Sequence, residues 1–211
     1  MHFRFAGKAL RALALGGLVA AIAFGAGAQS IADEWTSVKV PPAPELKSVK
    51  LQAGETALLM LDFVKQTCPP RPRCVATLPK MQRLLAEARA KRVHVVHSLV
   101  SQSVADILPE LAAREGEPFV SSGPNKFLNT ELEKILKDRG VTTVIVAGTS
   151  AEGAVLNTGA HAALRGFKVV VAVDGLASAT PYAEQYTVWH LANAPRIGPQ
   201  TTLSRSDLIA F

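Results

Sequence analysis

Residues 141–174, VTTVIVAGTSAEGAVLNTGAHAALRGFKVVVAVD, constrain the fold more than any other part of the chain. Val141 to Ala147 is a β-branched run suited to a strand buried on both faces. Gly148, Thr149 and Ser150 interrupt it. Ala151 to Arg165 is rich in helix formers, and Gly166 is placed as a helix stop. Phe167 to Val173 is a second apolar run, closed by Asp174. Two apolar strands joined by one helix make a right-handed βαβ unit and hence a parallel sheet. Ligands of such sheets sit beyond the carboxyl ends of the strands. The GTSAEGA turn is therefore where chemistry is expected.

Similar patterns recur upstream. Thr56 to Phe63, TALLMLDF, is a nearly continuous apolar strand ending at Asp62. The lead-in ELKSVKL before it reads as an edge strand or an extended arm. Thr77 to Arg92 carries Leu78, Met81, Leu84, Leu85 and Ala88 at helical spacing. Val93 to Val100 is a second strand, and Val104 to Arg114 reads as a short helix in an insertion. Thr130 can cap a helix over Glu131 to Arg139, ended by Gly140. Pro181 to Leu191 is a further helix, and Asp207 to Phe211 reads as a short edge strand. Alternating strands and helices predict an α/β fold, a three-layer sandwich with a mostly parallel central sheet.

The first residues read as a leader. Arg4, Lys8 and Arg11 precede an uncharged run from Ala12 to Ala28 that closes on Ala26-Gly27-Ala28. This is the pattern of a secretory signal peptide, 1–28, cleaved after Ala28. An extended segment, 29–50, with Pro41, Pro42 and Pro44 leads into one domain, 51–211. Export implies a periplasmic or secreted protein with no membrane attachment after cleavage. Three of the 23 basic residues lie in the leader, so the remainder carries 20 against 17 acidic residues, or +3. No basic face with interleaved aromatics stands out, which argues against nucleic acid. Cys68 and Cys74 flank only Pro and Arg, in CPPRPRC. In an oxidising compartment this pair reads as a disulfide.

The 141–174 stretch resembles the isochorismatase-like, or cysteine hydrolase, superfamily. Members carry a turn of the form G-x-x-T-x-x-C-V-x-x-T, then a helix, a glycine, a strand and an acidic residue. Gly148, Val155, Thr158, Gly166 and Asp174 fall at matching places. The nucleophilic cysteine corresponds to Ala154, and the usual threonine to Ala151. The member is thus identified as one lacking its nucleophile. Ala57, Leu58, Leu59 and Asp62 match the family pattern A-L-L-x-x-D, which implies that Asp62 is the acid/base. Phe127, Thr130 and Leu132 match the family's F-x-x-T-x-L segment. The family lysine sits about six residues before that phenylalanine, at Ser121 here, whereas Lys126 directly precedes Phe127. Lys126 is thus either the inward-turned lysine or a surface residue. If it turns inward, its charge favours an ionised Asp62.

The resemblance also implies a non-proline cis peptide at Thr149-Ser150. That bond would aim backbone N–H groups at a substrate oxygen, as an oxyanion hole does. Glu152 is either a general base for water or an acid complementing its helix dipole. His97 is either a substrate ligand or a hydrogen-bonded core histidine. Cys68, close after the first strand, is either half of the disulfide or a displaced nucleophile. His94, His161 and His190 lack metal-ligand spacing, and the D-x-H metal motif of nicotinamidases is not visible. The expectation is no metal and no cofactor. There is also no G-x-S-x-G elbow for serine catalysis.

Three functions fit these residues. One is an exported hydrolase acting on a small-molecule amide, ester or vinyl ether, with Asp62 as acid/base and water as nucleophile. The second is a non-catalytic exported binding protein on a lapsed hydrolase site. The third is an amidase using another nucleophile such as Cys68. An exported location argues against isochorismate, an intracellular intermediate. Family members commonly form dimers or tetramers, which the resemblance implies for this chain as a homo-oligomer.

Overall fold

The computed structural model describes residues 30–211. The expected signal peptide over residues 1–28 lies outside the described residues. The chain divides after Pro42. In the first part a one-turn helix, α1 (Ile31–Glu34), begins at Ser30, whose backbone N and Oγ both donate to Asp33 Oδ2.

The second part, Ala43–Phe211, is built on a six-stranded sheet. Its strands are β2 (Thr56–Leu61), β3 (His94–Leu99), β4 (Phe119–Ser121), β5 (Thr143–Thr149), β6 (Lys168–Ala177) and β7 (Thr201–Ser204). Their order is β4-β3-β2-β5-β6-β7, and every pairing is parallel. A separate parallel pair joins β1 (Val49–Lys50), in the expected edge segment, to β8 (Ile209–Ala210).

Both faces of the sheet are covered, which explains why β2 and β5 read as continuous apolar runs. On one face Leu58, Met60, Val95, Ile145 and Val170 pack against Met81, Leu84, Leu85 and Ala88 of α3 (Leu78–Ala90). The preceding short helix α2 (Pro72–Val75) adds Cys74, bonded to Cys68, to this face. On the other face Leu59, Leu61, Val96, Val144, Val146 and Val171 meet three helices. These are α4 (Leu132–Asp138), α5 (Leu156–Leu164) and α6 (Pro181–Asn193). The result is the expected three-layer α/β arrangement.

The structure corrects several element assignments. The helix expected over Val104 to Arg114 is two isolated 3-10 turns, Val104–Asp106 and Pro109–Leu111. Pro109 opens the second turn and has no N–H with which to continue a helix from the first. β4 and β7, absent from the sequence reading, are short. Each sits at an edge of the sheet and pairs on one side only. The strand expected to close at Asp174 runs on to Ala177, with a register shift opposite β5 between Val146 and Gly148. Among the described residues no helix is long and apolar enough to cross a membrane.

Candidate active site

β2 and β5 lie side by side, with Leu61 paired to Gly148. Asp62 therefore leaves the sheet beside Thr149, the last residue of β5. The approach is close enough to require glycine: a Cβ at residue 148 would lie 2.2 Å from the Leu61 carbonyl oxygen. Asp62 turns with φ 55° as it leaves β2, a region that aspartate tolerates better than most residues.

Asp62 is 4% exposed and held from three directions. Its Oδ1 accepts from Ser98 Oγ at 2.7 Å, its Oδ2 is 2.8 Å from Lys126 Nζ, and its backbone N donates to Ser98 Oγ at 3.2 Å. Lys126 is fully buried. Its ammonium also donates to the carbonyls of Leu99 (3.0 Å) and Ser122 (2.9 Å). Three donors thus meet three oxygens, which is what a buried ammonium requires. Burial pushes the Asp62 carboxyl above the ordinary carboxylate value. The Lys126 charge and the bonds from Lys126 and Ser98 oppose this without reversing it.

The Lys126 loop is pinned to the helix after β5. The Lys126 backbone N donates to Thr158 Oγ1 at 3.2 Å, and Thr158 Oγ1 donates to the Pro124 carbonyl at 3.3 Å. Thr130 Oγ1 donates to the Lys126 carbonyl and accepts from Leu132 N, so the residue expected as a helix cap also fixes the lysine.

After β5 the Thr149-Ser150 peptide is cis. Ala151–Val155 then forms one π-helical turn before α5 begins, where the sequence suggested a single regular helix. Such turns recur at functional sites. Ala154 is buried within it. Among the described residues Thr149 Oγ1 is buried without a hydrogen-bond partner.

Residues 56–204 match the Isochorismatase domain family, well over half of the chain. The chain belongs to this family. A secreted isochorismatase effector from Verticillium dahliae is 34% identical over 113 residues, 48% of this chain. The chain spans 60% of that protein's length. An isochorismatase-like hydrolase from Alkaliphilus metalliredigens superposes with a TM-score of 0.65 at 25% identity, covering 72% of this chain and 95% of that one. A cysteine hydrolase from Pseudomonas syringae pv. phaseolicola gives 0.67 at 20% identity (79% and 95% covered). The nicotinamidase of Staphylococcus aureus gives 0.66 at 17% identity (72% and 99% covered). The last two likenesses concern the fold.

Within this isochorismatase fold, the structure brings Asp62 and Lys126 together at the strand ends beside the turn that carries Thr149, Ser150 and Ala154. It does not bring His97 there. His97 is buried on β3, and its Nε2 lies 3.1 Å from Glu117 Oε2. Glu117 also accepts from Arg89 Nε (2.8 Å), Arg89 Nη2 (2.7 Å) and Arg114 N (2.9 Å). Cys68 is bonded to Cys74, and the chain's two cysteines leave no free thiol. Glu152 is exposed, and its Oε2 accepts from Ser178 Oγ, just beyond β6. Among the described residues no group of three or more His, Cys, Asp or Glu is placed to hold a metal.

Sequence reasoning missed Ser98 and Thr158 as supports of the acid and the lysine. The signal for Ser98 was strand parity. Its neighbour His97 drew attention, but alternate residues of a strand face opposite sides, and Ser98 takes the Asp62 side.

Proposed function

We propose that this chain is an exported hydrolase of the isochorismatase family that acts on a small molecule without a covalent cysteine intermediate. Asp62 is the acid/base and water the nucleophile. The observation that carries this reading is the buried Asp62–Lys126–Ser98 cluster beside the turn that holds Ala154, which we take as the nucleophile position. An acid/base held in place beside a residue that cannot attack fits a reaction in which the carboxyl transfers the proton and water forms the new bond. A carboxyl pushed upward by burial is suited to protonating a leaving group. Lys126 holds Asp62 in place and limits that upward shift. Ser150, after the cis bond, presents the turn to a substrate oxygen.

Substrates to be tested are amides, esters and vinyl ethers. The Verticillium relative's description joins secretion with isochorismatase. An exported location therefore does not remove isochorismate from the screen, and vinyl ethers head it. Export itself is supported by the leader sequence, by the Cys68–Cys74 bond and by that relative.

Ala154 also favours a second reading, an exported binding protein on a lapsed site. Asp62→Asn separates the two. For the hydrolase, turnover of the substrate found in the screen falls by about 10²–10⁴-fold while binding persists. Ligand binding by the unaltered protein with no product at any pH would establish the binding protein instead.

A further inference from the structure

A row of polar contacts links the disulfide to the turn that carries Ala154. Arg73 is the residue before Cys74, inside the loop that the disulfide closes. Its Nε donates to Glu184 Oε1 at 2.7 Å, and its Nη2 pairs with Glu184 Oε2. Glu184 stands in the first turn of α6, and the same Oε1 accepts the Ser178 backbone N at 2.9 Å. Ser178 is 1% exposed, and its Oγ donates to Glu152 Oε2. Glu152 belongs to the Ala151–Val155 turn.

We propose that Arg73, Glu184 and Ser178 are positioning residues for the Ala151–Val155 turn, with the Cys68–Cys74 disulfide as the fixed end of the row. This rests on the reading of that turn as part of the active site. The strand order gives the row its purpose. β5 runs between β2, which leads to Asp62, and β6, which leads to Ser178. A turn leaving β5 and held through Glu152 from the β6 side has its opposite side free to face Asp62. The turn is tight: a Cβ on Gly153 would lie 2.6 Å from Ser150 Oγ. A small displacement of Glu152 therefore moves Ser150 and Ala154 with it.

An exposed ion pair by itself stabilises little, because two long side chains must be ordered in water. This pair differs in three respects. The arginine engages both carboxylate oxygens, and the Glu184 side chain is only 15% exposed. The backbone beneath Arg73 is also already ordered. Cys74 N and Val75 N donate to the Arg71 carbonyl, Arg71 Nη1 donates to the Thr67 carbonyl, and the disulfide closes the loop. Less freedom is left for the pairing to remove.

Amide hydrogen exchange, resolved to the segment 151–155, tests this in the oxidised protein without needing a substrate. Arg73→Ala and Ser178→Ala should each speed exchange there by about tenfold, the signature of easier local opening. The double variant should be no faster than the faster single, since both cut one path. Arg73→Lys, which keeps the cation but loses the fork, should fall between Arg73→Ala and the unaltered protein. Exchange in 126–130, the lysine loop, should not change. Three results overturn the proposal: unchanged exchange at 151–155 in Arg73→Ala, acceleration spread evenly over the domain, or multiplying effects in the double variant. None of them bears on Asp62, whose role stands or falls with Asp62→Asn.

Discussion

Adjacent residues of β3 serve two charge clusters, one buried and one partly buried, and the clusters differ in what they leave open. Ser98 faces Asp62 and Lys126; His97 faces Glu117 and Arg89. Around Glu117 the bonds run inward among its partners, with two from Arg89, one from the Arg114 backbone and one with His97. Arg89 also donates to the Ala112 carbonyl, so this cluster fastens the insertion between β3 and β4 onto α3. The Asp62 cluster instead sits where two strands end beside the cis turn. Both sets of groups satisfy the rule that buried charge must be paired. Pairing alone therefore does not mark a site of chemistry. What sets the Asp62 cluster apart is its position at the carboxyl edge of the sheet, where ligands of such sheets bind.

The comparison is open to attack from either side. The largest effect is expected at Lys126, which is fully buried. Lys126→Met would leave Asp62 buried without its counter-charge, and denaturant titration should show a loss of about 3–5 kcal/mol near neutral pH. The loss should shrink in acid, where the carboxyl is neutral. A loss below 1 kcal/mol would mean that water replaces the ammonium.

Glu117→Gln comes next. It weakens charge-assisted bonds that are partly solvated, and about 2 kcal/mol is expected. Turnover per folded molecule should be unaltered, because this cluster braces the insertion and touches no reacting atom. A fall in turnover matching that of Asp62→Asn would erase the distinction between the two clusters.

The smallest effect is a slope. Burial holds His97 below its ordinary value of 6.5, aided by Arg89 and opposed by Glu117. Folding thus excludes a proton that the unfolded chain would take up. The stability from this exclusion is whole above pH 6.5 and is lost as pH falls through the lowered value. His97→Gln removes that titration. Between about pH 6.5 and 5 its stability should fall less steeply than that of the unaltered protein. Parallel curves would show that His97 takes up its proton equally in the folded and unfolded chain, so that burial does not lower its value.

The contrast between the clusters also explains what could be read from the residues. The strand that ends in Asp62 was legible because an acid at the close of TALLML demands a partner wherever the chain goes. The partner was not legible. Lys126 directly precedes Phe127, and whether it turned inward depended on Thr158, 32 residues away, holding its backbone N, and on Leu99 and Ser122 offering carbonyls. Of the two readings open for His97, the structure shows the hydrogen-bonded core histidine, and Ser98 was overlooked because the facing of a strand residue is set by its neighbours. β7 was missed because TTLS has no apolar run; it is a strand only because β6 lies beside it.

The sequence alone determined the parallel α/β fold, the acid at the end of β2 and the absence of a thiol at residue 154. These follow from periodicity, from local composition and from what a residue type can or cannot do. Tertiary structure alone decided that Lys126 meets Asp62, that Glu152 is drawn to Ser178, and that His97 and Ser98 part company. Each of those depends on contacts between segments distant in the chain, whose approach is set by packing across the sheet rather than by the residues nearby.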